Sequence, residues 1–285
     1  MLRRVRAKGA PALQRCMAGT PEDVHGYLQD FIEKHQKSGK LRLIHSSTAD
    51  NKYIDEEYYQ HLKETLDPQA FKVFAEGELI FIGGNQFYYA FSRDNYCDIT
   101  LDETMPLFIN VDFNVGMMSA TVAQQYYKDG KKISVFVDEI VLTADSADTY
   151  AMVNAIKARY SERQLYNMMI TCDFSGKARK TTGPSDVKVL KAAFGEDQVR
   201  YRATGNVRFR KRQLLVNGLL HHKQILINPD KCPILKRDLA KVQQKEDFSK
   251  DKKNAKLTHT SDTLDYFCDF EYEQNQQRFH QYRAK

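Results

Sequence analysis

The apolar positions of this 285-residue chain change their period along its length. Val24, Tyr27, Leu28, Phe31 and Ile32 recur at helical spacing and predict a helix with one buried face. Thr20 is its N-cap and Pro21 its first helical residue. Apolar runs at Leu13–Ala18 and Leu41–His45 predict strands. Helices are expected over Asp55–Leu66 and from Pro68 to about Glu76, followed by strands Glu78–Ile82 and Phe87–Phe91 across the Gly83-Gly84 turn. The stretch Asp94–Met105 is polar and irregular, and the expected domain border lies there, between residues 98 and 99.

Beyond it, Leu107–Val111 reads as a buried strand, and Ala120–Tyr127 and Ile133–Ile140 as strands flanking the Lys128-Asp129-Gly130 turn. A helix over Asp148–Tyr160 leads to a fourth strand, Met168–Cys172. Helices follow at Asp186–Phe194, Lys211–His221 and Ile234–Val242, with extended pieces at Val199–Tyr201 and Ile225–Asn228. A last helix starts near Ser261, with Leu264, Phe267 and Cys268 on its apolar side and Asp262, Asp265 and Asp269 on the other.

Composition narrows the class. With 42% hydrophobic and 28% charged residues the chain reads as globular, and no apolar run approaches the roughly 18–20 residues of a membrane span. The basic start MLRRVRAKGAPALQ lacks the apolar segment of a secretory signal, so a cytoplasmic location is expected. Five cysteines stand singly with no C-x-x-C pair, which predicts free thiols rather than a zinc site or a disulfide framework. The net charge of +6 is concentrated: Arg200, Arg202, Arg208, Arg210, Lys211 and Arg212 fall in one window, and a lysine-rich run spans Lys245–Lys256. Such a strip suits a polyanion such as DNA, or is a solvated face.

Three aspartates stand where apolar segments meet open chain. Asp112 follows PLFINV, Asp173 follows MMITC, and Asp262 lies in THTSDTLDYF. Singly, each has a structural reading, as a turn residue for the first two and a macrodipole partner for the third. Together, two strand-ending carboxylates and one on a terminal helix form the acidic layout of ribonuclease-H-like nucleases, in which hard oxygen ligands hold divalent cations.

These segments resemble the C-terminal part of the large terminase subunit of tailed bacteriophages, the motor and nuclease that packages DNA. PLFINVDFNVGMMSATVAQ resembles the family's first nuclease strand, ITCDFSGKA its second acidic motif, and THTSDTLDYF its His-x-x-Asp-Ala-Leu-x-Tyr motif, with Thr263 in the alanine position. RCMAGTPEDVHGYLQDF and the passage from Leu43 to Leu79 resemble the end of the terminase ATPase and the path out of it. The resemblance implies an α/β fold: a ribonuclease-H-like mixed sheet flanked by helices over 99–285, preceded by a smaller α/β remnant of the ATPase region over 1–98. It implies two Mg²⁺ or Mn²⁺ ions held by Asp112, Asp173 and Asp262, and cleavage of concatemeric double-stranded DNA in the host cytoplasm. Its partners would be the portal protein, the small terminase subunit and an ATPase half.

Glu139, in VFVDE, is a candidate auxiliary ligand or a surface ion-pair residue, and His259 either assists proton transfer or orders the helix start. The basic window would hold the phosphate backbone, joined by Lys177, Arg179 and Lys180 just after Asp173. With no metal bound, repulsion among the three carboxylates should raise at least one pKa. No G-x-x-x-x-G-K-[ST] occurs, so VFVDE is not read as a Walker B strand and ATPase activity is not expected. The chain is expected to be a truncated or separately encoded C-terminal half. Two other classes fit the same residues: a docking module for the portal or ATPase half, and a resolvase- or transposase-type nuclease.

Overall fold

The computed structural model describes residues 32, 35, 38, 41–78, 86–114, 116–143, 147–178, 183–202, 207–245, 247–253 and 257–274, with 273 and 274 described by backbone alone. The strand expected at Leu13–Ala18, most of the helix begun at Thr20, residues 79–82 of the next expected strand, Cys16, Arg179 and Lys180 lie outside the described residues. The chain divides into two compact units, one of Met1–Leu62 with Pro68–Ile82, the other of Lys63–Asp67 with Gly83–Lys285.

The first unit contains most of α1 (Glu56–Thr65) and α2 (Pro68–Phe74). Pro68 opens α2 at the position where its missing N–H has no helical partner to lose. Tyr59 and Phe71 meet edge to face at 5.4 Å, and the Thr48 N–H donates to Ala75 O at 2.7 Å. The strand expected at Leu41–His45 does not form: that stretch has no strand pairing, and Ile44 is exposed.

The second unit is built on a sheet of six strands among the described residues, in the order β5-β4-β1-β2-β3-β6. β1 (Leu107–Asp112), β2 (Met117–Lys128) and β3 (Lys131–Thr143) form an antiparallel meander. β4 (Met168–Cys172) joins β1 in parallel, β5 (Val199–Arg200) joins β4, and β6 (Ile225–Ile227) joins β3. A three-strand meander extended beyond its first strand by two parallel strands is the ribonuclease-H-like arrangement. Asp129 and Gly130 both take positive φ, 51° and 73°, as a two-residue hairpin of matching twist requires, so the turn expected there forms.

Side-chain alternation sorts the sheet into two faces. Leu107, Ile109 and Val111 of β1 enter one core with Met152, Val153 and Ile156 of α3 (Thr149–Arg159) and Val187, Val189 and Leu190 of α5 (Asp186–Phe194). The short α4 (Glu162–Tyr166) precedes β4. The opposite face carries α6 (Phe209–His221), α7 (Pro233–Lys241) and α8 (His259–Cys268), whose Val216, Leu235, Leu264 and Phe267 pack with Phe87, Tyr88 and Phe136. A π-helical stretch, Asp269–Gln274, continues α8.

Phe87–Phe91, expected as a strand, is instead a turn. Asn217 replaces the strand partner: its amide donates to Phe87 O at 2.9 Å, and its carbonyl accepts the Ala90 N–H at 2.9 Å. That frees two successive aromatic rings, Phe87 and Tyr88, to enter the second core together, which strict alternation would forbid. Compactness accordingly divides the chain at Ile82/Gly83, whereas polarity alone places the border near residue 98.

Candidate metal centre

Asp112 ends β1 on the face that α8 covers. On α8, His259, Asp262 and Tyr266 stand at i, i+3 and i+7, which places them on one stripe. His259 Nδ1 lies 3.0 Å from Asp112 Oδ2, and the Tyr266 hydroxyl donates to Asp112 Oδ1 at 3.1 Å. In the tautomer protonated at Nδ1, the ring donates to Asp112 while its Nε2 accepts from Asn114 Nδ2 at 2.6 Å. One ligand atom each from Asp112, His259 and Asp262 lie within 4.8 Å of one another, and all three residues are buried. Burial raises the Asp112 pKa, His259 opposes it by hydrogen bonding, and the Asp262 charge adds to the rise.

A second stripe of α8 fixes the helix to β2. Thr260 Oγ1 meets Ser119 Oγ at 3.1 Å, and Thr263 Oγ1 meets Thr121 Oγ1 at 2.7 Å. Phe267 stacks edge to face on Phe136 at 5.4 Å.

Asp173 reaches the same end of the sheet by register. Val111 pairs with Cys172 across the parallel β1–β4 ladder, so the next residues, Asp112 and Asp173, leave neighbouring strand ends together. Asp173 is half-buried; its Oδ2 accepts from Ser175 Oγ, and its buried Oδ1 has no hydrogen-bond partner among the described residues. It is outside the 4.8 Å group. The Tyr266 hydroxyl registers all three acids: burial lifts its pKa well above the ordinary value, and the charges of Asp112, Asp262 and Asp173 add to the rise.

Behind Asp262 lies a buried charge network whose pairing the sequence does not indicate. Lys250, fully buried, donates to Asp262 Oδ1 at 2.6 Å, pairs with Asp265 Oδ2 at 2.8 Å and reaches Ser261 Oγ at 3.1 Å. Burial alone would lower its pKa, but the two carboxylates outweigh burial and raise it. Arg212 donates to Asp269 Oδ2 at 2.8 Å, with both side chains almost inaccessible. Asp265 and Asp269 therefore do not form a solvent face of α8, whose ten residues are all buried.

Glu139 stands apart from this group. Its carboxylate accepts the Ile234 and Leu235 N–H groups at 2.7 and 2.9 Å, so it caps the N-terminus of α7. Neighbouring Asp138 points to the other face of the sheet, where it takes both Arg159 Nε and Nη2 at 2.6 Å. The basic window divides. Arg208 and Lys211 are exposed, as is Lys177, while Arg202 and Arg210 are half-buried. Arg212, expected on the DNA-binding strip, is instead an internal ion-pair residue and presents nothing to a phosphate backbone. Arg200 is also turned inward, onto Glu271 and Thr171 Oγ1.

Two carboxylates and an imidazole, buried and crowded, suit a divalent cation. The unpartnered oxygen of Asp173 beside them points the same way. Among the described residues no helix is long and apolar enough to cross a membrane.

No known family model and no curated protein matches the sequence. The large terminase of a thermophilic bacteriophage matches over 88% of this chain with a TM-score of 0.63 at 12% identity, and its complex with ADP matches with 0.63 at 13%. The chain spans 61% of the length of that protein. The nuclease domain of the P22 large terminase aligns over 65% of this chain and 92% of that one, at 10% identity and a TM-score of 0.49. At such identity a likeness speaks for architecture, and the chain has the fold of a bacteriophage large terminase subunit.

Proposed function

We propose that this chain is the nuclease part of a phage DNA-packaging terminase and hydrolyses double-stranded DNA with divalent metal. The observation that carries the reading is the convergence of Asp112, His259 and Asp262 within 4.8 Å, beside the strand end that bears Asp173. Asp112, Asp262 and His259 would hold the metal, with Asp173 supplying its unpartnered oxygen from the next strand. A divalent ion such as Mg²⁺ or Mn²⁺ held there would supply Lewis acidity toward water and offset charge on the phosphodiester. Tyr266 and His259 hold the Asp112 carboxylate in one orientation through its two oxygens. Arg208, Lys211 and Lys177, exposed on the surface, would grip backbone phosphates without reading bases.

On this reading residues 99–285 are the nuclease domain and residues 1–98 derive from the ATPase side, with 83–98 packed into the second unit. Portal, small subunit and motor would be partners in the host cytoplasm. Incubation of the chain with supercoiled plasmid and Mn²⁺ tests the core of the proposal. Nicking by the wild type that EDTA stops, and that Asp112→Asn abolishes at an unchanged melting temperature, supports it. A chain that cleaves nothing with any divalent ion is instead a docking module, and one that cuts only branched junctions is a resolvase.

A further inference from the structure

Lys250 occupies an unusual place for a lysine in a lysine-rich run. Lys252 and Lys253, two and three residues on, are 58% and 92% exposed, whereas the Lys250 side chain is 0% exposed. A tight turn sets this difference. Asp251 N–H donates to Gln243 O at 2.7 Å and Lys245 N–H to Ser249 O at 2.8 Å, and Phe248 takes a φ of 61° at the bend. Lys250 then points inward between the rings of Phe87 and Tyr88, its nitrogen 5.2 and 5.0 Å from their centroids. Its three N–H groups face three oxygens, those of Asp262, Asp265 and Ser261. The ammonium is held on every side and cannot swing out to solvent.

We propose that Lys250 is a positioning residue, a built-in counter-cation that ties up one oxygen of Asp262, leaves that carboxylate a one-oxygen metal ligand, and holds down the divalent-ion affinity of the DNA-free centre. The inference rests on the metal-dependent reading above. Lys252 Nζ lies 3.9 Å from Asp262 Oδ2, but its side chain is 58% exposed and screened by solvent. The buried ammonium 2.6 Å from Asp262 Oδ1 instead stands just across the carboxylate from any ion bound at Oδ2, where like-charge repulsion is poorly screened. Asp265 takes the Tyr88 hydroxyl at 2.9 Å on its other oxygen, so Lys250 bridges the candidate metal ligand and a carboxylate that is held independently.

Two measurements on the full-length chain test this. In the wild type, ¹⁵N NMR should show one exchange-protected lysine ammonium that shifts when Mg²⁺ is added. Calorimetric titration with Mn²⁺ should show on the order of tenfold tighter binding for Lys250→Met combined with Asp265→Asn, which removes the ammonium together with the second buried carboxylate that it neutralises. A simple structural role predicts the opposite sign, weaker binding through a loosened Asp262. Wild-type binding of Mg²⁺, seen by calorimetry, with no movement of the protected ammonium overturns the proposal, whether or not the double variant folds. So does unchanged or weaker binding in a folded double variant. In both cases loss of Mn²⁺ binding in Asp112→Asn leaves the metal centre standing, whereas a wild type that binds no Mn²⁺ overturns the centre itself.

Discussion

His259 Nδ1 and Asp112 Oδ2, 147 positions apart in the chain, lie 3.0 Å from each other and join the first turn of α8 to the end of β1. The imidazole is thereby pre-aimed at the carboxylate with which it would share a metal. His259→Ala should weaken Mn²⁺ binding by about 10–100-fold and slow plasmid nicking in parallel. The fold should tolerate it, since the change deletes two hydrogen bonds, to Asp112 and to Asn114, about 1–3 kcal/mol together. Calorimetry and a thermal melt measure the two effects separately. Full affinity in the variant would remove His259 from the ligand set.

Gly176 lies three residues after Asp173, and a Cβ there would overlap the Phe113 ring, next to Asp112. Any larger residue must push that ring and the loop behind Asp112. Gly176→Ala should cost about 1–3 kcal/mol in stability and depress Mn²⁺ affinity more than the stability loss suggests. Phe113→Leu added to it should restore much of both, because the smaller side chain vacates the space. A double-mutant cycle in which the two changes are simply additive would show that the two loops are not coupled through this contact.

Neighbouring cations in the basic window should fail in different ways. Arg212 is 3% exposed and its partner Asp269 1%, so Arg212→Ala leaves a buried carboxylate uncompensated and should cost about 3–5 kcal/mol. Arg208→Ala with Lys211→Ala removes two exposed charges. That double change should leave the melting temperature within a degree or two, weaken DNA binding at every sequence, and reduce the salt slope by roughly two. An unaltered slope would place the DNA elsewhere.

That contrast explains what the chain made legible and what it concealed. β1 and β4 could be read because each is an apolar run cut off by an aspartate, and their parallel pairing brings Asp112 and Asp173 to one edge. His259, Asp262 and Tyr266 could be read together only through the motif they resemble, since periodicity set Asp262 with Asp265 and Asp269. Those last two shared the polar side of the expected helix, and helical periodicity carries no information about counter-charges from distant segments. Arg212 and Lys250 supply those charges, and in sequence they are indistinguishable from their exposed neighbours. Phe87 and Tyr88 misled in the same way: apolar character pointed to a strand, but the partner was a side-chain amide, that of Asn217.

Asp238 links this buried network to pH. Its side chain is inaccessible in α7; burial raises its pKa to about 6, with Arg237 opposing the rise. In the unfolded chain the carboxyl has its ordinary value of 3.8. Between the two values the unfolded chain has given up the proton while the folded chain keeps it, so this residue's contribution to stability is greatest below 3.8 and is lost as pH rises towards 6. A shift of about two units corresponds to about 3 kcal/mol. Asp238→Asn, which cannot ionise, should therefore gain on the wild type as pH rises. The stability difference between variant and wild type should increase by about 2–3 kcal/mol from about pH 4 to about pH 7.5 and be flat above that. Comparing the two proteins at each pH cancels the titration of Asp112, whose pKa burial also raises, while Glu139, whose pKa the Asp238 charge helps to raise, adds a smaller change of the same sign. Urea melts across this range would give the difference directly, and parallel curves would mean that Asp238 is ionised throughout and balanced by Arg237.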